Sequence, residues 1–178
     1  MFDPIAPCLL MSMPDTVMLL ALHQEDSAMS FILNRQTQLS FHELMADLGI
    51  KPKIQNRRVL WGGPVSKNSG FLLYEHARNK PLDQGLRITD TLSISPSKKL
   101  LERAAMGEIK NRFDLILGYV GFGPAQLERE LNSGTYLHTS FYEEIVLQTP
   151  LSERFEHAFG QLGVLPIAFM NVSGGAQA

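Results

Sequence analysis

The chain has 178 residues and a mass of 19.9 kDa, room for one ordinary domain but not for a catalytic domain joined to a separate cofactor domain. Its 44% hydrophobic and 19% charged residues, with 14 Gly and 10 Pro scattered along it, exclude disorder and low complexity and suffice for a real core. The 16 Lys and Arg against 18 Asp and Glu leave a net charge of −2, too little overall field to draw a polyanion, and the single cysteine, Cys8, excludes an internal disulfide and a cysteine zinc site.

No basic residue precedes the first apolar stretch, and Pro7 and Pro14-Asp15 break it well short of the ~20 residues a membrane span needs. A soluble cytoplasmic protein with no membrane association is expected. Three runs at 8–13, 16–23 and 28–33 are short, almost wholly apolar and bounded by Pro14-Asp15 and the polar 24–27 segment. They predict strands covered on both faces, with Cys8 as a small buried hydrophobe.

A helix is predicted over 41–48. Ser40 and Glu43 are spaced for a capping box, Leu39 and Leu44 for a hydrophobic staple, and Gly49 supplies the stop. Phe41, Leu44, Met45 and Leu48 fall on the face expected to turn inward. A basic loop follows, with Lys51, Lys53, Arg57 and Arg58. Strands are predicted at 58–61, 70–75, 86–88, 92–94 and 114–119. Helices open with proline in the first helical position at Pro96, Pro124 and Pro150, and stop at Gly107, Asn132 and Gly163. In the last of these, Leu151, Phe155, Phe159 and Leu162 form an apolar stripe. Segment 173–178 carries too little side chain to pack and is expected to be a flexible tail on a single domain spanning 1–172. Strands in bulk with irregularly placed helices are the pattern of an α+β fold.

Chemistry-bearing motifs are sparse. In Gly118-Tyr119-Val120-Gly121-Phe122-Gly123-Pro124-Ala125-Gln126, backbone amides at a helix start offer an anion seat, but the third glycine of a dinucleotide fingerprint is absent. The other readings are a ligand-contacting loop and a turn that packs Phe122 inward. Trp61-Gly62-Gly63-Pro64 reads as a tight strand exit or as a site wall. The basic loop lacks interleaved aromatics and any helix-turn-helix or zinc-finger pattern, so a solvated loop is favoured over a phosphate patch and direct nucleic-acid readout is not expected. The five histidines are scattered, and no Gly-x-Ser-x-Gly elbow or phosphate-binding Gly-Lys loop is present. Glu75-His76 and Glu128 with Glu130 fit surface or capping roles. These residues assign no catalytic group, no metal and no cofactor.

Several ordered segments carry a family likeness: Leu9-Leu10-Met11-Ser12-Met13-Pro14, Ile32-Leu33-Asn34-Arg35, Gly62-Gly63-Pro64-Val65 with Gly70-Phe71, Leu117-Gly118-Tyr119-Val120-Gly121-Phe122 with Gln126-Leu127-Glu128, and Thr149-Pro150 leading to Leu162-Gly163-Val164. Through them the chain resembles the AlgH/YqgE family. That resemblance implies a single α+β domain with a barrel-like mixed sheet flanked by about four helices, in cytoplasmic bacterial proteins of unestablished function, sometimes labelled transcriptional regulators. The chain departs from the family pattern. Ser27 and Ser30 stand where glycines are usual, Tyr74 replaces a histidine, Phe122 a tryptophan and Ala125 a glycine, and the turn after Pro14 is short.

The expected function is therefore a non-enzymatic regulatory or protein- or ligand-binding module, acting indirectly rather than by reading DNA, as a monomer or weak homo-oligomer. Its candidate surface is Asn34, Arg35, Gly62, Gly63, Pro64, Gly70, Gly118, Tyr119, Gly121, Phe122 and Gln126, since Gly, Pro, Asn and aromatics shape surfaces rather than move protons. The alternative is a nucleotide- or small-molecule-binding enzyme with its anion seat at Gly121 to Pro124.

Overall fold

The structure, a computed structural model, describes residues 1–82 and 84–163, so the expected tail at 173–178 lies outside the described residues. In chain order the elements are β1 (Cys8–Ser12), β2 (Thr16–His23), β3 (Ala28–Ile32), β4 (Gln36–Ser40), α1 (Phe41–Asp47), β5 (Arg58–Trp61), β6 (Val65–Glu75), β7 (Leu86–Arg87) and β8 (Leu92–Ser95). They continue with α2 (Lys98–Ala105), β9 (Phe113–Phe122), α3 (Gln126–Asn132), β10 (Leu137–Ser140), α4 (Glu143–Leu147), a 3₁₀ turn (Leu151–Glu153) and α5 (Arg154–Gly160). The pairings are antiparallel except for β5 with β9, so the sheet is mixed and the class is α+β.

The chain forms two compact units, a terminal one of Met1–Asn34 with Val120–Ala178 and a central one of Arg35–Tyr119. In the terminal unit β1 pairs with β10 and β2, β2 with β3, and β3 with the Val120 to Phe122 end of β9. Consecutive residues Leu9, Leu10 and Val17 to Leu20 are all buried, which is why these strands lack polar alternation. Cys8 is buried among them, and burial pushes its thiol up to about 12. Arg154 is only 1% exposed, and nothing in its local sequence signals this burial. Its guanidinium donates to the Leu33 carbonyl at 2.7 Å, the Val146 carbonyl at 3.0 Å and the Thr149 carbonyl at 3.1 Å, joining β3, α4 and the start of α5.

In the central unit β4 pairs with β5, β5 and β6 with β9, and β8 with β6 and β7. The capping box forms as expected: Ser40 Oγ accepts from the Glu43 amide and the Glu43 carboxylate accepts from the Ser40 amide. Phe41 and Met45 of α1 enter a core with Val59, Leu72, Phe113, Leu115, Ala104 and Ala105, each large side chain contributing about 1.5–3 kcal/mol.

Several boundaries differ from the expected ones. Leu48 is the α1 C-cap and is 48% exposed, and Leu39 is also exposed, so neither is core. The 96-opened helix begins two residues later, because Ser97 Oγ takes the Leu100 amide and makes Ser97 the N-cap. Pro124 is likewise not the first helical residue. It lies in a turn closed by the Gln126 amide to Gly123 O, with Ala125 left-handed at φ 55°. β9 runs past the expected end at Tyr119 to Phe122, so Val120 to Phe122 is strand rather than turn, and β6 begins at Val65 rather than 70 with a bulge before Gly70. Pro150 opens a 3₁₀ turn, and α5 follows it with Phe155 and Phe159 buried. β4 and β10 carry too few apolar residues in register to signal themselves, and α4, at five residues with no side-chain cap, is too short to.

Candidate functional site

The central unit holds an apolar groove of about 230 Å³. Its floor is the face of β6 and β9 on which Gly70 pairs with Leu117 and Leu72 with Leu115. Two-residue periodicity places those leucines on one side of the sheet. Gly70 opens the floor, since a Cβ there would lie 3.3 Å from Leu115 Cδ1 and 3.8 Å from Leu117 Cδ2. The walls are Leu44, Met45 and Leu48 of α1 and Leu101 of α2. The rim is polar, with Asp47, Asn68, Ser95, Ser97 and Lys98. Leu48 therefore leaves the core because it lines this groove. One acidic and one basic side chain, Asp47 and Lys98, among leucines give a site that can hold an apolar group and orient a polar one.

Of the residues expected to form a surface, Gly70 alone lines this groove. Gly62, Gly63 and Gly118 come together in the central unit and are buried by one another's backbones. A Cβ on Gly62 would lie 2.3 Å from Gly118 O, and one on Gly118, at φ 72°, would lie 2.3 Å from Gly63 O. The Gly62 amide donates to Leu117 O at 2.7 Å, and Trp61 N donates to Arg35 O at 3.0 Å. Pro64 is exposed beside them, and Tyr119 stacks edge-on against Phe71 at 6.1 Å. These residues lock β5 and the start of β6 onto β9.

The others lie in the terminal unit. Asn34 closes the β1–β2 turn, its Nδ2 donating to Asp15 O at 2.6 Å and its Oδ1 accepting from Val17 N at 3.2 Å. Phe122 is buried and meets Tyr136 edge-on at 5.7 Å, while Gly121 is exposed on β9. Gln126 folds back, its Oε1 accepting the Gly123 amide at 3.0 Å and its Nε2 donating to Glu130 at 2.8 Å. The amide best placed to hold an anion is thus occupied, and Glu128 adds a negative charge in the first turn of α3.

Polar pairs that the sequence did not reveal serve the fold. The Ile5 amide donates to His23 Nδ1, so Nε2 carries the proton and donates to Glu128 at 2.8 Å. Hydrogen bonds from its own amide and from His23 hold the Glu128 carboxyl below the ordinary carboxylate range. Ser93 Oγ lies 2.8 Å from His76 Nε2, a pairing nucleophilic sites use, but Ser93 is wholly enclosed and no substrate can reach it. Arg57 lies 4.0 Å over the Phe113 ring and donates to Phe113 O at 2.9 Å. Among the described residues no cluster of three or more His, Cys, Asp or Glu could hold a metal ion, and no helix is long and apolar enough to cross a membrane.

A family model described as AlgH-like matches residues 11–166. UPF0301 proteins of Burkholderia mallei strain SAVP1 and Burkholderia pseudomallei strain 668 are 35% identical to the chain over 152 residues, 84% of this chain and 79% of theirs. The solution structure of the AlgH protein from Pseudomonas aeruginosa is similar with a TM-score of 0.74 and 28% identity, covering 93% of this chain and 94% of that one. A crystal structure from Corynebacterium diphtheriae shares the fold, with a TM-score of 0.70 at 15% identity over 94% of this chain and 92% of that one.

Proposed function

The chain belongs to the AlgH-like family, and from that premise we propose that it is a non-enzymatic, cytoplasmic bacterial regulatory module that works by binding a protein or ligand through the central-unit groove. The observation that carries this reading is the groove itself, an apolar floor opened by Gly70 beneath a polar rim. At about 230 Å³ it is smaller than the roughly 300–1,000 Å³ of sites for drug-sized molecules, so it suits one compact apolar group with a polar end. Such a group is either the body of a small ligand or an anchoring side chain on a protein partner.

The enzymatic alternative, an anion seat at Gly121 to Pro124, has less support, because the Gln126 side chain takes the Gly123 amide. Binding is tested with the amphiphilic dye anilinonaphthalene sulfonate on the folded protein. The dye is expected to brighten with the wild type, and to lose that signal with Gly70→Val, which fills the floor, and with Leu48→Asp, which charges an exposed wall without touching the core. No brightening by the wild type, or equal brightening by both variants, would defeat the proposal.

A further inference from the structure

The net charge of −2 hides a separation. The central unit carries 14 Lys and Arg against 8 Asp and Glu, a net +6, and the terminal unit carries 2 against 10, a net −8. Within each unit the excess charge is gathered on one region. In the central unit the loop after α1 runs beside the segment that links α2 to β9: Lys53 N donates to Ala105 O at 2.8 Å, and a Cβ on Gly107 would lie 3.5 Å from Ile54. Between them these segments expose Lys51, Lys53, Lys110 and Arg112, while Arg58 at the start of β5 is drawn to Asp114 at 3.8 Å. The nearby Glu108 is already paired with Arg103 at 3.0 Å, so it does not quench the patch.

In the terminal unit α4 and α5 touch each other and carry Glu143, Glu144, Glu153 and Glu156, the last three exposed. Arg154, the one Lys or Arg of that stretch, is turned inward onto three carbonyls, and His157 lies beside the outer carboxylates, 3.9 Å from Glu153.

We infer that the basic loop face of one molecule docks on the acidic α4–α5 face of a second copy, in a head-to-tail contact that is favoured at low salt. Charge complementarity identifies the occupant. The acidic helical face offers exposed carboxylates of the opposite sign and is present at the same concentration as the basic one. Two different faces joined in this way form a heterologous contact that can repeat. Exposed charges interact over a Debye length, about 10 Å at 0.1 M salt, so the contact weakens as salt rises.

The test is sedimentation of the full chain at about 20 mM and about 300 mM salt. Two surface triple variants are compared, Lys51→Glu with Lys53→Glu and Lys110→Glu, and Glu144→Lys with Glu153→Lys and Glu156→Lys. Circular dichroism confirms that each is folded. The wild type is expected to associate at low salt, with an affinity at least about tenfold weaker at high salt. Each variant alone is expected to be monomeric, and an equimolar mixture of the two to associate again, because each supplies the face the other lacks. A wild type that stays monomeric at low salt, association indifferent to salt or to either reversal, or no recovery on mixing would overturn the inference. Retardation of duplex DNA that depends on Lys51, Lys53 and Lys110, by a protein that stays monomeric, would assign the basic face to a polyanion instead.

Discussion

Alanine substitutions at Gly62, Gly118 and Gly134 separate two costs that glycine avoids. Gly134 has φ 75° with nothing within 4 Å of an added Cβ, so Gly134→Ala carries left-handed strain alone, about 1 kcal/mol. Gly62→Ala carries steric cost alone, with the new Cβ 2.3 Å from Gly118 O and 2.5 Å from Ile116 Cγ2. The first of these is backbone and cannot rotate away, so the substitution is expected to cost about 2–3 kcal/mol, in the upper part of the range for overpacking. Gly118→Ala combines both, with φ 72° and contacts of 2.3 Å to Gly63 O and 3.0 Å to Val65 O, and is expected to cost about 4 kcal/mol. For a domain of this size about 2–4 °C is lost per kcal/mol, so Tm is expected to fall by about 8–16 °C for Gly118→Ala and by only a few degrees for Gly134→Ala. Thermal and urea unfolding followed by circular dichroism measure both. If Gly62→Ala matched Gly134→Ala, the close approach of β5 to β9 would be refuted, and these glycines would again be free to shape a binding surface.

Arg154→Met is expected to cost roughly 3 kcal/mol or more by stranding three buried carbonyls, and Arg154→Lys to recover only part of it because the three N–H donors of an ammonium leave one atom and cannot span carbonyls met by three separate guanidinium nitrogens; urea midpoints of the two variants test this. Two positions leave small strains. Ser30 Oγ is buried with no hydrogen-bond partner among the described residues, and Ala125 sits at φ 55°, so Ser30→Ala and Ala125→Gly are each expected to raise stability by about 1 kcal/mol; a loss in either would contradict the assigned geometry. Because folding lowers the Glu128 pKa, its contribution is full above the ordinary glutamate value near about pH 4.3 and fades as pH falls through the lower folded value. Glu128→Gln should therefore lose less stability than the wild type on acidification below that pH, and parallel pH profiles of the urea midpoint would refute the His23–Glu128 linkage.

The parts of the fold legible in the sequence were those fixed by local chemistry. The Ser40–Glu43 box, the apolar runs of β1 to β3 and the Phe155–Phe159 stripe each depend on residues within one turn or one strand. What escaped depended on distant partners. Arg154 reads as a surface cation until Leu33, 121 residues away, supplies a carbonyl, and Ser97 displaces Pro96 as the helix start only through its own hydroxyl geometry. For the site, glycines at Gly62, Gly63 and Gly118 were conspicuous because two backbones must nearly touch there, and that demand comes from folding. The groove was illegible because it arises where four elements, β6, β9, α1 and α2, leave the space above Gly70 unfilled, an arrangement no single segment encodes. The near-zero total charge concealed the two faces for a similar reason, since the acidic unit is split between the two ends of the chain on either side of the basic one.

Binding through the groove is tested most directly by methyl NMR of the folded chain titrated with anilinonaphthalene sulfonate. Shifts are expected at the methyls of Leu44, Met45, Leu48, Leu101, Leu115 and Leu117, which line the groove, and are expected to vanish in Gly70→Val. Shifts centred instead on the residues around Gly62 to Pro64 or Gly121 to Gln126, or none at these leucines, would contradict binding through the groove.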